Sequence, residues 1–298
     1  MRSDLRKIEI DLIEREEEFI EYLDVNDLTI KSYTNGINSF ISFLENNNIK
    51  YPTRTHFKAF REELKENMSI NTVNSYMTAI RRFFKYLELN GIYNDITKDV
   101  KGLKYSNVPK TQVLDEKICK EIYNNLFDLR EKCLFSLALT TGLRANELAN
   151  AKIENIKNYN GEIVLFVKCK KRDDENEYVK LSNKVFEDIK NYIGNRTSGY
   201  IFISTSNNNK NKGVTNKTIR VIIKDILKRF GIEQDWVSCH TIRRTCATLL
   251  YENGQSVYDI QQVLHQKSGQ TTVRYINQIT RNHNKSEYIL SNIVLGED

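Results

Sequence analysis

The residues of this chain that are best suited to chemistry are two arginines, a histidine and a tyrosine. They lie in three separated segments: Arg144 in TTGLRANEL (140–148), His240 and Arg243 in CHTIRRTCATLL (239–250), and Tyr275 in VLHQKSGQTTVRYI (263–276). Guanidinium groups bind pairs of phosphate oxygens and stay charged at any working pH. His240 lies three residues before Arg243 and therefore on the same face of a helix. Such groups suit a phosphodiester whose negative charge grows in the transition state, where removal of one donor typically costs about 10²–10³ in rate.

The order and separation of these segments carry a resemblance to a known family. The elements TGLRxxEL, HxxRxTxATxL and LxxxSxxTTxxY follow one another after a helical N-terminal part. In this the chain resembles the tyrosine site-specific recombinases, also called phage integrases, from about residue 17 to about residue 280. The resemblance implies an N-terminal four-helix, SAM-like core-binding domain and a C-terminal catalytic domain. It also implies cleavage and rejoining of DNA through a 3′-phosphotyrosyl intermediate.

The resemblance assigns the nucleophile to Tyr275, one of 16 tyrosines in the chain. Its hydroxyl attacks a DNA phosphate and expels a 5′-hydroxyl. A free phenol has a pKa near 10, about three units above neutrality, so the attack needs a nearby base or a strong positive field. We expect His240, Arg144 and Arg243 to supply these. Tyr288, in a predicted C-terminal helix, is a weaker rival.

The leaving 5′-oxygen needs a proton, and the resemblance implies that a lysine on a β-hairpin is the general acid. Lys168 follows the strand-like segment IVLFV and matches that position when residues are counted from Gly161. The hairpin is longer here than in common relatives, in the lysine-rich stretch KCKKRDDENEYVKL. Lys170 and Lys171 are therefore alternatives to Lys168.

The chain departs from the family pattern at the position of a second histidine, nine residues before the tyrosine, where it has Gln266. His265 is adjacent, but one step along a helix turns a side chain by about 100°. We hypothesise that the Gln266 amide donates to the phosphate in place of a ring. If Gln266→Ala leaves cleavage unchanged while His265→Ala abolishes it, this assignment is wrong. Glu147 either orients Arg144 or supports its helix.

Helical periodicity dominates the elements that must position these groups. Apolar residues recur at three- and four-residue steps in four N-terminal segments, near residues 5–23, 30–44, 54–66 and 70–90. Asp27 is the predicted cap of the second helix, and the fourth begins after Ser69. We predict a helical core-binding, DNA-binding domain over 1–104, a linker over 105–112, and a catalytic domain over 113–298 that ends in an exchange tail.

In the catalytic part, the pattern predicts helices, one β-hairpin and then further helices. Helices are expected at 115–127 and 130–142, after Ser182, at 214–230, onward to 264, and at 270–280. The β-branched and aromatic segments GEIVLFVKCK and EYVKL predict the two strands of the hairpin. The expected fold class is mainly α with a small β-hairpin or sheet.

Composition narrows the class of protein. The chain has 298 residues, 40% of them hydrophobic and 28% charged, which is typical of a soluble globular protein. It lacks an apolar run approaching the ~18 residues that span a bilayer and lacks a secretory signal, so we expect no membrane partner and a cytoplasmic location. Five cysteines without CxxC spacing and four scattered histidines predict reduced thiols and no metal site. Neither metal nor nucleotide is expected as a cofactor.

Charge is distributed unevenly along the chain. Residues 1–30 carry a net charge of −6, residues 31–104 of +5 and residues 105–298 of +7. Two basic blocks suit a polyanion such as DNA, although a lysine-rich surface without such a partner fits the charge equally well. The fourth helix has polar and basic residues suited to a DNA groove: Asn71, Asn74, Ser75, Thr78, Arg81, Arg82 and Lys85. An ordinary surface helix is the alternative.

The resemblance also implies partners. We expect double-stranded DNA with inverted-repeat core sites, a homo-tetramer on that DNA linked by the apolar C-terminal tail, and an accessory directionality protein as a further partner. Docking of the tail in cis is the rival arrangement. The expected function is integration or excision of a mobile element. Alternatives are resolution of chromosome or plasmid dimers, a type IB topoisomerase, and a catalytically weak DNA-binding protein.

Overall fold

The chain forms two compact units, Met1–Asn107 and Val108–Asp298, each with a hydrophobic core of its own. The computed structural model describes residues 12–104, 113–167, 177–205, 212–234, 237–265, 291 and 293–296. Within those residues, every helix is too short or too polar to cross a membrane. The predicted class, mainly helical with a small sheet, is confirmed.

Four helices make up the first unit: α1 Leu12–Tyr22, α2 Asp27–Asn46, α3 Arg54–Asn67 and α4 Ile70–Leu89. The predicted cap of α2 is wrong by one residue. Asn26 is the cap, because its Oδ1 accepts from the backbone N–H of Thr29 at 3.1 Å, and Asp27 is the first helical residue. Ser69 caps α4 as predicted, its Oγ accepting from the N–H of Thr72. These caps satisfy N–H groups that have no partner within the helix.

Aromatic side chains fill the core of the first unit. The ring of Phe40 on α2 meets Phe57 and Phe60 on α3 and Phe84 on α4, with ring centroids 6.0, 5.1 and 6.0 Å apart. All four residues are buried, and the rings meet edge to face, the arrangement that aromatic quadrupoles favour. The apolar periodicity of α2, α3 and α4 therefore converges on one cluster.

Among the described residues, the second unit contains seven α-helices, one short 3₁₀ helix at Ile153–Asn155 and three strands: α5 Glu116–Asn124, α6 Leu129–Thr141, α7 Ala145–Ala149, β1 Ile156–Tyr159, β2 Glu162–Val167, β3 Glu177–Lys180, α8 Asn183–Ile193, α9 Asn216–Arg229, α10 Cys239–Glu252 and α11 Val257–Val263. Helix α6 is its centre, since it contacts α5, α8, α9 and α10 and is buried on nearly all sides. The helix predicted onward to residue 264 is interrupted at the described residues 231–234 and 237–238, and again at 253–256. The helix predicted at 270–280 lies outside the described residues.

The sheet is antiparallel with the order β1-β2-β3. The predicted hairpin is the pair β2 and β3, in which Phe166 lies opposite Tyr178 and Val167 opposite Glu177. Strand β1 was not predicted, because its sequence IKNY leaves only Ile156 partly buried and shows no apolar alternation. The rings of Tyr159, Phe166 and Tyr178 pack together, with centroids 5.3–5.9 Å apart.

Candidate active site

Arg144 is the N-cap residue of α7, and Glu147 fixes it from two directions. Oε1 of Glu147 accepts from Nη1 of Arg144 at 2.7 Å, and Oε2 accepts from the Arg144 backbone N–H at 2.8 Å. Glu147 is buried, whereas the Arg144 side chain is 32% exposed. The carboxylate therefore both caps the helix and orients the guanidinium, the two roles that were alternatives from the sequence.

Gly142 ends α6 in the left-handed conformation, with φ of 62°. A Cβ on this residue would lie 2.5 Å from Cδ2 of Leu264 and 3.4 Å from Sγ of Cys246. Glycine thus allows both the turn and the close approach of the chain to α10 and to the end of α11. The turn that leads to Arg144 is held against the helix that carries Arg243.

The guanidinium of Arg243 joins the three segments that carry the sequence motifs. Nη1 donates to the carbonyl of Gly142 at 2.6 Å, and Nη2 donates to the carbonyl of Leu264. Arg243 is only 3% exposed, and burial of a charge requires such hydrogen-bond partners. The two bonded carbonyls lie 101 and 21 residues away in sequence. Arg243 therefore holds three distant segments of the chain together at the site.

His240 lies in the first turn of α10, one turn before Arg243. Packing around the ring lowers the pKa of His240, and the positive charges of Arg243, Arg220, Arg244 and Arg144 lower it further, in that order. Each of these charges disfavours the imidazolium form. The ring is therefore neutral at neutral pH and able to accept a proton.

Arg220 was missed by the sequence analysis. It follows the buried Ile219 on α9, a helix that contacts both α7 and α10. Its charge reaches His240 and also Cys239. The apolar period of α9 is visible in the sequence, but the partner of its polar side depends on tertiary packing.

The structure brings together Arg144, His240 and Arg243 of the predicted site. Lys168, Gln266 and Tyr275 lie outside the described residues, as do Lys170, Lys171 and Tyr288. The described chain leads up to two of them: Val167 ends β2 just before Lys168, and His265 directly precedes Gln266. The Nε2 of His265 donates to the carbonyl of Tyr178 on β3 at 3.1 Å.

The predicted DNA-binding residues of helix α4, in the first unit, fall into two groups: some are hydrogen-bonded within the unit, and the others are exposed to solvent. Asn74 and Arg81 bind the chain that follows the helix: the Asn74 amide bonds both the N–H and the carbonyl of Leu103, and Arg81 donates to the carbonyl of Val100 at 2.7 Å. The Ser75 hydroxyl pairs with that of Ser32 on α2. The exposed residues are Asn71, Thr78, Arg82 and Lys85. These four recur at helical spacing and form one stripe, which we call the α4 stripe.

The described residues contain no group of three or more histidine, cysteine, aspartate or glutamate side chains placed to hold a metal ion. Cys239, which precedes His240, is a buried free thiol. Burial raises its pKa to about 11, so it carries no thiolate at neutral pH. Among the described residues, the side chains suited to chemistry at this site are those of Arg144, His240 and Arg243.

Comparison with protein-family models shows to which family the chain belongs. Residues 112–281 match the model of the phage integrase family, and residues 12–92 match that of the phage integrase N-terminal SAM-like domain. The chain belongs to the phage integrase family. It is a tyrosine recombinase, an enzyme of site-specific recombination that cleaves and rejoins DNA.

Similar proteins extend the match over most of this recombinase. It is 29% identical to the tyrosine recombinase XerA of Pyrococcus furiosus, over 94% of this chain and 96% of that protein. Its fold is similar to that of the XerH site-specific recombinase bound to palindromic difH, with a TM-score of 0.72 and 19% sequence identity. The match covers 96% of this chain and 85% of the XerH chain. The fold is also similar to that of a lambda integrase dimer bound to a core site, with a TM-score of 0.72 and 17% sequence identity. That match covers 89% of this chain and 93% of the lambda integrase chain.

Proposed function

We propose that this recombinase cleaves one strand of a specific DNA duplex by attack of the Tyr275 hydroxyl on a phosphate held by Arg144, Arg243 and His240. The observation that carries the proposal is the Arg243 guanidinium, which joins the turn before Arg144 to the segment that leads to Tyr275. In the step, the tyrosine oxygen bonds to phosphorus and the bond from phosphorus to the 5′-oxygen breaks. A 3′-phosphotyrosyl link and a free 5′-hydroxyl result.

Each group of the site has a part in this step. The positive charges of Arg144 and Arg243 stabilise the negative charge that grows on the phosphate oxygens. The neutral ring of His240 accepts the phenol proton or donates a hydrogen bond to the phosphate. Lys168 protonates the leaving 5′-oxygen, with Lys170 and Lys171 as alternatives, and the Gln266 amide donates to the phosphate. Attack by the 5′-hydroxyl of a partner strand reverses the same bonds and rejoins the DNA.

Trapping of the covalent intermediate tests the proposal. A nicked duplex loses a short 5′-fragment on cleavage, so that rejoining is blocked and protein stays attached to DNA. Wild-type protein gives an adduct that migrates slowly on a denaturing gel, and Tyr275→Phe gives none while still binding the duplex. Tyr288→Phe is the matched control and retains the adduct. An adduct that survives in Tyr275→Phe overturns the assignment of the nucleophile.

Contact of the first unit with DNA is the second part of the proposal. The α4 stripe presents an amide, a hydroxyl and two positive charges on one exposed helix face, and residues 31–104 carry a net charge of +5. Asn71 is suited to a base edge, and Arg82 and Lys85 to phosphates. Binding then weakens with salt, with a log–log slope of several units, whereas a slope near zero excludes this contact.

Assembly on inverted-repeat core sites is supported by the C-terminal tail. Ile293, Val294 and Leu295 are 75%, 68% and 70% exposed, an unusual state for three consecutive apolar residues. Docking of this tail on a neighbouring subunit links four protomers in a tetramer on two DNA sites. A variant truncated before Ile293 should still bind a single DNA site. Its mass-photometry profile should lack the complex of four subunits on two sites. Retention of that complex favours docking in cis.

The use of this chemistry in the cell is, in our proposal, the integration and excision of a mobile element. Resolution of chromosome or plasmid dimers is the alternative use. The DNA that flanks the gene separates the two. Inverted repeats beside the gene, with an excised circle whose formation needs an accessory directionality protein, support a mobile element. Resolution of directly repeated sites without such a protein supports the alternative.

A further inference from the structure

We propose that His265 is a positioning residue that holds the lysine-bearing hairpin in place for protonation of the leaving oxygen. The inference rests on the proposed function, because it assigns the general acid to that hairpin. His265 itself touches no reacting atom in this proposal. It acts through the strand to which it is bonded.

The backbone of His265 directs its ring to the sheet. Its φ is 46°, in the left-handed region that few residues other than glycine adopt, and its N–H is bonded to the carbonyl of Gln262 at 3.0 Å. The ring leaves α11 at this turn, and Nε2 donates to the carbonyl of Tyr178 at 3.1 Å, 87 residues away in sequence. Because a carbonyl only accepts, Nε2 carries the proton.

The accepting carbonyl belongs to an edge strand and points away from it. The N–H of Leu181 donates to the carbonyl of Ile163, so these two residues form a hydrogen-bonded pair. In an antiparallel ladder such pairs alternate, which leaves the main-chain groups of Tyr178, opposite Phe166, directed outward from β3. An outward carbonyl on an edge strand has no partner within the sheet. His265 supplies that partner.

The other end of this connection is fixed by Arg243. The residue before His265, Leu264, is fully buried, and its carbonyl accepts from Nη2 of Arg243. Leu264 thus accepts a hydrogen bond from Arg243, and the next residue, His265, donates one to the hairpin. The position of the hairpin relative to the arginine is set through two adjacent residues.

The bonded carbonyl lies close in the ladder to the start of the lysine segment. Val167 pairs with Glu177, the neighbour of Tyr178, and Lys168 is the next residue after Val167. Loss of the His265 bond frees this end of the hairpin and spreads the positions of the general acid. Since a misplacement of about 1 Å can cost about 10²-fold in rate, we expect cleavage to slow by about 10- to 100-fold.

The test compares two substrates with the full chain. The first is the nicked duplex with an ordinary phosphodiester, and the second has sulfur in place of the 5′-bridging oxygen. A thiol has a pKa of about 8.5 against about 15.7 for water, so the thiolate leaves without a general acid. His265→Gly removes the ring and accepts the left-handed backbone, and His265→Gln retains a donor. We expect His265→Gly to be slow on the oxygen substrate and close to wild type on the sulfur substrate, with His265→Gln in between on the oxygen substrate.

Other outcomes overturn the inference. Unchanged cleavage of the oxygen substrate by His265→Gly shows that the bond positions nothing. An equal loss on both substrates assigns His265 to phosphate binding or to tyrosine placement. As a control, His265→Gly should unfold at the wild-type temperature and bind the duplex with wild-type affinity, which shows that a loss of cleavage is not a loss of folding. Absence of an adduct with wild-type protein on either substrate marks failure of the proposed function itself, and the inference falls with it.

Combination with the hairpin lysine gives an independent measurement. In Lys168→Ala, the acid is already absent, so a positioning residue that acts through it has nothing left to position. We expect His265→Gly to add little further loss on the oxygen substrate in the Lys168→Ala background. Full additivity of the two losses contradicts the inference. If Lys170→Ala or Lys171→Ala is the variant that the sulfur substrate rescues, that background replaces Lys168→Ala.

Discussion

Glu147 bonds Arg144 at both its backbone N–H and its guanidinium, at 2.8 and 2.7 Å. The same carboxylate therefore determines where α7 begins and where the arginine side chain points. The exposed part of the arginine faces solvent, while the carboxylate beneath it is buried. A donor held in this way needs little reorganisation when a phosphate arrives, which is the condition under which electrostatic stabilisation is most effective.

Glu147→Gln should slow adduct formation by about 10-fold or more, because a neutral amide orients the guanidinium less firmly than a carboxylate does. DNA affinity should change little, since Arg144 is one of many cations. The measurement is single-turnover cleavage of the nicked duplex. Glu131→Gln is the matched control, because Glu131 pairs with Arg229 on the surface, outside the proposed site. Wild-type cleavage by Glu147→Gln would show that the carboxylate does not hold the arginine in the reacting state.

Gly142→Ala should lower the free energy of unfolding by about 1–3 kcal/mol, as backbone strain and overpacking add together. The new Cβ would meet Leu264, whose carbonyl is bonded to Arg243, so cleavage should fall as well. Gly91→Ala is the control. Gly91 has a similar φ of 69° and open space around a Cβ, so only the strain remains. Equal losses of stability in the two variants, measured by urea unfolding, would contradict the close packing at Gly142.

Local signals in the sequence were sufficient for most of the fold, and the two features they missed, strand β1 and the exact cap of α2, have separate causes. The periodicity of α2, α3 and α4 and the apolar strands β2 and β3 are properties of contiguous segments. Strand β1 lacks such a property, since it pairs with β2 without burying an alternating face. The cap of α2 was misplaced because Asn26 and Asp27 are both good capping residues.

The site shows the same division. Spacing alone placed His240 and Arg243 on one helix face, and the resemblance grouped them with Arg144. The carbonyl partners of Arg243 are main-chain atoms, which any residue type provides, so the sequence contains no sign of them. The approach of Arg220 to His240 depends on how α9 packs against α10. The amide of Asn74 is equally suited to a DNA groove and to a backbone, so its bonds to Leu103 could not be predicted from the sequence.

The depressed pKa of His240 predicts how stability responds to pH. Packing, followed by the charges of Arg243, Arg220, Arg244 and Arg144, lowers the pKa in the folded state below the unfolded value of about 6.5. Below that pH the unfolded chain binds more protons than the folded one, so this contribution to stability is complete above about pH 6.5 and is lost as the pH falls. His240→Gln cannot titrate. Between pH 7.5 and 5.5, wild type should lose more unfolding free energy in urea than His240→Gln does, and parallel losses would contradict the shift.

Helix α4 offers a comparison between two asparagines of the same helix. Asn74→Ala removes two hydrogen bonds to Leu103, at 2.8 and 3.0 Å, and should lower the unfolding free energy by about 1–3 kcal/mol. Asn71 is exposed, so Asn71→Ala should change stability by less than about 0.5 kcal/mol.

Binding to a duplex should reverse that order. Asn71→Ala should weaken sequence preference at one position, and Lys85→Ala should weaken binding to all sequences and reduce the salt slope by about 1, because it removes one phosphate contact. Fluorescence anisotropy over a series of salt concentrations measures both effects. Asn74→Ala, once its loss of folded protein is accounted for, should bind with the wild-type slope and preference. A change of sequence preference in Asn74→Ala would mean that its amide leaves Leu103 and turns to the DNA in the complex.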